Sequence, residues 1–195
     1  MTPWLSIIGL GAEGIGALSP AARTLVDNAE ILIGGARHLA MIPAEHPAER
    51  RGWTSPISDT VVAMKALEGR RVVVLATGDP MSYGIGVTLG RAFGPEAMTV
   101  LPVPGAFSLA AARLGWALHE TDCLTLHGRP LAALNLFVRP GARLLTLAEN
   151  GETPAQSATA LRERGYGSST ITVLSNMGAT DEMIRAGTAD KWGDT

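Results

Sequence analysis

The sequence predicts an α/β fold, because short apolar runs rich in Ile, Val and Leu alternate with segments of helical character. Such runs are typical of parallel strands that are buried on both faces. With 195 residues and a hydrophobic fraction of 46%, the chain can form a sizeable core. These observations exclude a disordered chain.

Seven strands and five helices are predicted in chain order. The strands are expected at residues 5–9, 30–33, 71–76, 98–101, 124–127, 143–147 and 170–174. The helices are expected at residues 20–28, 58–68, 84–93, 107–114 and 154–164. Ser19 and Thr153 each precede a proline and are expected to cap the helices that follow them.

The first elements form a compact unit that ends near Leu114, and the stretch 115–121 shows no strong periodicity. We therefore predict two small α/β domains that pack around a shared cleft. Residues 1–114 are expected to hold a mostly parallel sheet, and residues 115–195 a mixed sheet. Ligands of open α/β sheets bind beyond the carboxyl ends of the strands, so the loops there are the candidate sites.

Charge and cysteine content exclude several classes of function. The net charge is −2 and the chain has no basic run, so no nucleic-acid partner is expected. The single cysteine, Cys123, excludes an internal disulfide and a multi-cysteine metal site, and no other metal-ligand spacing is present. The apolar stretch 4–10 is too short for a signal peptide or a membrane span. We expect a cytoplasmic protein with no membrane partner.

The first glycine loop has the sequence Gly-Leu-Gly-Ala-Glu-Gly at residues 9–14. It fits the pattern of a dinucleotide-binding turn, but the next helix begins late, at Pro20. The second strand also ends in Gly34-Gly35, where an NAD enzyme carries an acidic residue for the ribose. A simple tight turn and a loop that lines a ligand cleft are the alternatives to NAD binding.

The segment 76–86, Ala-Thr-Gly-Asp-Pro-Met-Ser-Tyr-Gly-Ile-Gly, is the most informative part of the sequence. Gly78 permits close backbone approach, Asp79 supplies an acceptor and Pro80 fixes the turn. The segment carries no lysine of a phosphate-binding loop. It predicts a binding loop rather than a plain turn.

Three later turns follow predicted strands. Residues 102–108 form a stiff Pro-Val-Pro-Gly turn that enters an alanine-rich helix, and close helix packing explains it as well as a flat ligand does. In the segment 126–130, His127 is a candidate base or a hydrogen-bonded bystander, and Arg129 is a candidate for an anionic substrate. The turn 148–156 contains Asn-Gly, and loop acids at a helix start account for Glu149 and Glu152.

Together, the glycine loop 9–14, the Gly-Asp-Pro-x-x-Tyr-Gly segment 78–84, the Pro-Gly-x-x-Ser turn 104–108 and the Leu-His-Gly-Arg segment 126–129 resemble the tetrapyrrole methylase family. The resemblance covers the whole chain. Segments 140–147, 149–151 and 165–167 further resemble the branch that methylates precorrin-6. Ala12 and Glu13 depart from the family, whose first loop usually reads Gly-x-Gly-Pro-Gly.

The resemblance implies two α/β domains, a homodimer, and S-adenosylmethionine as cofactor, with S-adenosylhomocysteine as product. It implies cofactor contacts for Gly78, Asp79, Ser82, Phe107, Ser108, His127 and Gly151. The candidates for contact with the anionic tetrapyrrole are Gly11, Tyr83, Arg113 and Arg129. Arg37 and Arg139 are further candidates for the substrate carboxylates.

The implied reaction is methylation of C5 of a precorrin-6 type intermediate in cobalamin biosynthesis. A fused or associated partner domain would methylate C15 and decarboxylate. No catalytic residue is assigned, apart from His127 as a candidate base, because positioning of the two reactants can supply much of the rate. Methylation of another ring position and a non-catalytic tetrapyrrole-binding half are the alternatives.

Overall fold

The protein is described by a computed structural model that covers residues 3–193. The chain divides into two compact units, Met1–Gly105 and Ala106–Thr195. Both units contain strands and helices, which confirms the predicted α/β class.

The first unit holds a five-stranded parallel sheet in the order β3-β2-β4-β1-β5. Its strands are β1 (Leu5–Leu10), β2 (Ile31–Gly34), β3 (Glu49–Gly52), β4 (Val72–Thr77) and β5 (Met98–Leu101). Its helices are α1 (Pro20–Asp27), α2 (Ala36–Ala40), α3 (Ile57–Met64) and α4 (Ile85–Phe93), with 3-10 turns at Gly14–Ala17, Lys65–Leu67 and Pro95–Ala97. The parallel strands place their carboxyl ends at one edge of the sheet.

Apolar side chains cover both faces of this sheet. Alternation along β1 sends Leu5 and Ile7 into one buried cluster, and Ile8 and Leu10 into the other. Each fully buried side chain of this size contributes roughly 1.5–3 kcal/mol. Two-sided burial explains why the central strands have continuous apolar runs.

Of the two predicted helix caps, one is confirmed and one is wrong. The Ser19 hydroxyl accepts a hydrogen bond from the backbone N–H of Ala22 at 3.2 Å, with Pro20 at the first helical position. Thr153 instead lies inside its helix. Its hydroxyl accepts from the backbone N–H groups of Glu149 and Asn150, at 3.1 Å each, so it stabilises the preceding loop.

The second unit holds two separate two-stranded sheets, β6-β7 parallel and β8-β9 antiparallel, where one mixed sheet was expected. Its strands are β6 (Asp122–Thr125), β7 (Leu144–Leu147), β8 (Thr170–Ser175) and β9 (Met183–Thr188). Its helices are α5 (Ala106–Leu114) and α6 (Thr153–Glu163), with 3-10 turns at Leu118–Glu120, Leu131–Leu136 and Ala189–Lys191.

The helix α5 lies in the second unit, whereas the predicted junction near Leu114 assigned it to the first. The difference has a packing reason. Ala110 and Ala111 are buried with Leu145 of β7, so the helix shares a core with the strands that follow it. No helix among residues 3–193 is both long enough and apolar enough to cross a membrane.

Candidate functional site

Two glycines bring the carboxyl ends of β1 and β4 into backbone contact. The N–H of Gly78 donates to the carbonyl of Leu10 at 2.9 Å, and the N–H of Val103 donates to the carbonyl of Gly78 at 3.2 Å. A Cβ atom on Gly9 would lie 1.9 Å from that same carbonyl oxygen. Only glycine fits at position 9 without a shift of the loop.

The loop after β4 also lies against the turn after β5. Gly78 has a positive φ of 59°, and a Cβ atom there would lie 2.9 Å from the Cα of Gly105. A Cβ on Gly105 would lie 3.3 Å from the Cβ of Asp79. The loop that holds the predicted binding residues Gly78 and Asp79 therefore contacts backbone atoms on two sides, those of β1 and those of the turn after β5.

Asp79 organises its own loop. One carboxylate oxygen, Oδ1, accepts from the N–H of Met81 at 2.8 Å, and the Asp79 carbonyl accepts from the N–H of Ser82 at 3.1 Å. Its Oδ2 has no hydrogen-bond partner within residues 3–193. The half-buried carboxylate can therefore accept a hydrogen bond from a ligand. Tyr83 follows with an exposed ring and a positive φ of 56°.

A histidine that the sequence analysis did not select lies at the same edge of the sheet. His38 of α2 pairs through Nε2 with the Thr77 hydroxyl at 3.0 Å. Burial, and then the positive charge of Arg37, lower the pKa of this imidazole below its usual value. His38 is therefore neutral at neutral pH. Its position just after the Gly34-Gly35 end of β2 was the signal that could have identified it.

The first glycine loop is open. A Cβ atom on Gly11 would meet nothing within 4 Å among the described residues. The turn Gly14–Ala17 follows, so α1 begins only at Pro20. In a dinucleotide fold the helix starts directly at the glycines and offers its N-terminus to the pyrophosphate. The delayed helix counts against NAD binding.

In the second unit, the loops that follow β6 and β7 meet through Glu149. Its Oε2 lies 3.3 Å from Nδ1 of His127 and accepts a hydrogen bond from the backbone N–H of Gly128. His127 is 74% exposed, so its ring faces solvent as well as the carboxylate. The carboxylate orients His127 and leaves Nε2 without a partner within the described part of the chain.

Thr153 and Asn150 hold the loop that carries Glu149 and Gly151. The Asn150 side-chain oxygen accepts from the N–H of Glu152 at 2.9 Å, which closes a tight turn. Gly151 is exposed and open around its Cα position. The predicted cofactor residues His127 and Gly151 therefore lie in neighbouring loops, since Glu149 links the two.

The predicted cofactor residues of α5, Phe107 and Ser108, lie in its first turn. Phe107 is half-buried and packs on the cluster around Ala110 and Leu145, whereas Ser108 is exposed. Phe107 thus belongs partly to the core of the second unit. Its predicted contact with the cofactor stays a prediction.

Two of the four candidate arginines are held in ion pairs. Arg113 makes a two-point contact with Glu182, at 2.5 Å and 2.8 Å, and Arg139 lies 2.7 Å from a carboxylate oxygen of Asp122. Contact of either guanidinium with a substrate carboxylate would require that pair to open. Arg129, by contrast, is exposed and has no ion-pair partner within residues 3–193.

The pair formed by Arg113 and Glu182 predicts a dependence of stability on pH. The Arg113 hydrogen bond, and then the N–H of Gly178, lower the pKa of Glu182 from 4.5 to about 2. A lowered folded-state pKa stabilises the fold above the unfolded value, and this stabilisation is lost as the pH falls towards about 2. We expect Glu182→Gln to lower the urea midpoint at pH 6 and to have little effect near pH 2.

Glu163→Gln, at an exposed position of α6, is the control for loss of a charge alone. A difference between wild type and Glu182→Gln that stays constant from pH 6 to pH 2 would show that the ion pair does not stabilise the fold.

The comparison with protein families finds that the model of the Tetrapyrrole (Corrin/Porphyrin) Methylases matches residues 5–192. A precorrin-6Y C(5,15)-methyltransferase [decarboxylating] from Sinorhizobium sp is 41% identical over 94% of this chain. A cobalt-precorrin-7 C(5)-methyltransferase from Salmonella typhimurium is 32% identical over 92% of this chain and 88% of its own length. This chain spans 45% of the length of the Sinorhizobium relative, less than half.

Solved structures agree with this result. A precorrin-6Y methylase from Archaeoglobus fulgidus is 26% identical, with a TM-score of 0.71 over 95% of this chain and 90% of its own. A uroporphyrin-III C-methyl transferase from Thermus thermophilus, solved with S-adenyl homocysteine, is 19% identical, with a TM-score of 0.72 over 97% of this chain and 85% of its own. The second likeness concerns the fold alone.

Proposed function

Since this chain belongs to the tetrapyrrole (corrin/porphyrin) methylase family, we propose that it transfers a methyl group from S-adenosylmethionine to C5 of a precorrin-6 type intermediate in cobalamin biosynthesis. Both similar enzymes named above carry C5 in their names, which supports the ring position. The loop of Gly78 and Asp79 at the carboxyl edge of the parallel sheet is the observation that carries the proposal.

The residues of this loop suit the cofactor chemically. S-adenosylmethionine carries an ammonium group and ribose hydroxyls. When bound, it supplies an electrophilic methyl group on its sulfonium. The Asp79 carboxylate has an oxygen available to accept from an ammonium or a hydroxyl, and Gly78 and Gly105 let a ligand approach the backbone. We assign Gly78, Asp79 and Ser82 to the cofactor, together with Phe107, Ser108, His127 and Gly151 of the second unit.

The substrate is anionic, and the exposed Arg129 is the cation best placed to bind one of its carboxylates. Gly11 and Tyr83 offer an open backbone and an exposed ring for the macrocycle. Methyl transfer to an electron-rich carbon needs no nucleophilic side chain, so orientation of the two reactants is the main task of the protein.

The partner domain and the homodimer belong to the same proposal. The Sinorhizobium relative combines C5 and C15 methylation with decarboxylation, and this chain spans 45% of it. We assign C5 methylation to this chain, and C15 methylation with decarboxylation to polypeptide outside it. The homodimer stays a prediction from the family, and the cytoplasmic location stays a prediction from the sequence.

Isothermal titration of the purified chain with S-adenosylhomocysteine tests the proposal without an unstable tetrapyrrole. We expect one site per chain with micromolar affinity. Asp79→Ala should weaken binding by roughly tenfold or more, because a charge-assisted hydrogen bond contributes about 1.5–3 kcal/mol. The thermal midpoint should change little, since the Asp79 side chain bonds only its own loop.

Asp59→Ala, in the first turn of α3, is the matched control in the same unit and should leave the affinity unchanged. If wild type binds no ligand at millimolar concentration, a non-catalytic tetrapyrrole-binding role would replace the proposal. If wild type binds and Asp79→Ala binds equally well, the cofactor lies elsewhere.

A further inference from the structure

The helix α2 follows the Gly34-Gly35 end of β2 and carries two basic residues, Arg37 and His38, at the carboxyl edge of the parallel sheet. Gly34 determines how closely His38 approaches the sheet. A Cβ atom on Gly34 would lie 3.3 Å from the Cβ of Leu75 in β4 and 3.5 Å from the Cβ of His38. The glycine therefore leaves room for the imidazole to lie against the end of β4.

His38 and Thr77 form a pair that offers a hydrogen-bond donor to a ligand. Nε2 of His38 bonds the Thr77 hydroxyl at 3.0 Å, and Nδ1 is accessible to solvent and has no partner within residues 3–193. If Nε2 carries the proton, it donates to Thr77, and the exposed hydroxyl donates outward. If Nδ1 carries the proton, Thr77 donates to Nε2 and Nδ1 donates outward. One outward donor is present in either tautomer.

Arg37 adds a positive charge beside this pair. Its side chain is exposed and has no ion-pair partner in the described part of the chain. Burial, and then the charge of Arg37, lower the pKa of His38, so the guanidinium and the imidazole lie close enough to interact. Arg50 of β3 also lies against α2, but its guanidinium donates to the carbonyls of Leu39 and Pro43. Arg37 therefore remains available to an anion.

A guanidinium and a neutral donor side by side suit a carboxylate, which accepts hydrogen bonds on two oxygens. We propose that Arg37, His38 and Thr77 form a binding site for one carboxylate of the tetrapyrrole substrate. Arg37 supplies the charge, Thr77 supplies a hydrogen bond, and His38 is the positioning residue that holds the Thr77 hydroxyl. The site rests on the proposed function, because it binds the anionic substrate of that reaction.

The segment that ends β4 has opposite charges on its two sides. Thr77 and Asp79 are two residues apart, so their Cα atoms are separated by at most about 7 Å. Asp79 has an oxygen available to a cationic group, whereas Arg37 attracts an anion. The cationic cofactor and the anionic substrate would therefore each meet the opposite charge at one edge of the sheet. This arrangement favours binding of the two reactants side by side.

Titration with uroporphyrin III, a stable tetrapyrrole whose charged groups are carboxylates, tests the site in the full chain at saturating S-adenosylhomocysteine. Wild type should bind one molecule per chain. Arg37→Gln should weaken binding by roughly tenfold or more, because a charge-assisted hydrogen bond is lost. Thr77→Val should weaken it by roughly three- to tenfold. Thr77→Ser keeps the hydroxyl and should bind within about twofold of wild type.

Arg91→Gln is the matched control for loss of a charge, since Arg91 is exposed in the last turn of α4 in the same unit. It should leave the affinity for uroporphyrin III unchanged. His38→Gln keeps a side-chain N–H that can donate to Thr77 and should bind better than His38→Leu, which should resemble Thr77→Val. The affinity for S-adenosylhomocysteine, measured in parallel, should stay within about twofold in every variant.

Two results would overturn the site while leaving the methyltransferase proposal intact. In the first, wild type binds S-adenosylhomocysteine but no uroporphyrin III. In the second, Arg37→Gln and Thr77→Val bind uroporphyrin III as tightly as wild type. A lower thermal midpoint in Thr77→Val at unchanged affinity belongs to the second result and would make the bond to His38 purely structural.

Failure of wild type to bind S-adenosylhomocysteine would contradict the methyltransferase proposal instead. Weaker uroporphyrin III binding by Arg37→Gln and Thr77→Val, but not by Arg91→Gln, would then still support the carboxylate site.

Discussion

Gly9→Ala should destabilise the first unit more than any other single-methyl change at the sheet edge. The added Cβ would lie 1.9 Å from the carbonyl oxygen of Gly78 and 2.9 Å from the backbone nitrogen of Val103. Both neighbours are backbone atoms, so the carboxyl ends of β1, β4 and β5 must shift together to admit the methyl group. Overpacking of this kind costs roughly 3 kcal/mol or more. For a unit of about 100 residues, this lowers the thermal midpoint by on the order of 10 °C.

Gly11→Ala is the matched control, because its Cβ would meet nothing within 4 Å among the described residues and the position has no positive φ. We expect a change of less than about 0.5 kcal/mol there. Calorimetry of both variants measures the two thermal midpoints, and we expect only that of Gly9→Ala to fall. Equal midpoints for the two would mean that β1 and the loop after β4 do not approach as closely as described.

The Gly9 contact also links stability to binding. The carbonyl that the new methyl group displaces belongs to Gly78, whose neighbour Asp79 is assigned to the cofactor. Any Gly9→Ala protein that remains folded should therefore bind S-adenosylhomocysteine more weakly than wild type. Asp79→Ala removes the carboxylate that contacts the ligand and leaves the loop backbone in place. The two variants therefore distinguish the effect of displacing the loop from the effect of losing one hydrogen bond.

Hydrophobic runs predict the apolar strands of this chain but not its charged or exposed strands. The buried strands β1 and β4 were predicted to within one residue at each end. The strand β3 was missed because Glu49, Arg50 and Arg51 lie on an edge of the sheet, where charged residues discourage further pairing. The strand β9 was missed for a similar reason, since Met183–Arg185 are exposed.

The candidate site shows the same limit at the level of single contacts. The glycine and proline pattern around Gly78 and Asp79 lies within one short segment, so the binding loop could be predicted from the sequence alone. The partner of His127 comes from the loop after another strand, and no local pattern distinguishes Glu149 from a solvated loop acid. The partner of Arg113, Glu182, lies still further along the chain. Pairs between distant segments depend on the fold. This is why Arg113, which is paired, and Arg129, which has no ion-pair partner in the part of the chain that the structure describes, look alike in sequence.

His127→Ala should reduce methyl transfer at saturating cofactor by roughly 10²-fold. Because His127 is only one of the seven residues assigned to the cofactor, S-adenosylhomocysteine affinity should fall by no more than roughly tenfold. When the substrate carbon gains the methyl group, its hydrogen leaves as a proton, and Nε2 of His127 can accept that proton. Glu149 holds the opposite ring nitrogen at 3.3 Å and so orients the acceptor. The measurement is transfer of a labelled methyl group to the precorrin in single-turnover conditions, alongside titration with S-adenosylhomocysteine.

His119→Ala is the matched control, because His119 is also an exposed histidine beside a glutamate, Glu120, in the same unit. It should leave both quantities unchanged. Weaker cofactor binding by His127→Ala, with transfer normal at saturating cofactor, would make His127 a binding residue and not a base. Wild-type values for both would make it a bystander, and orientation of the reactants by Gly78, Asp79 and Arg129 would then account for the rate without a protein base.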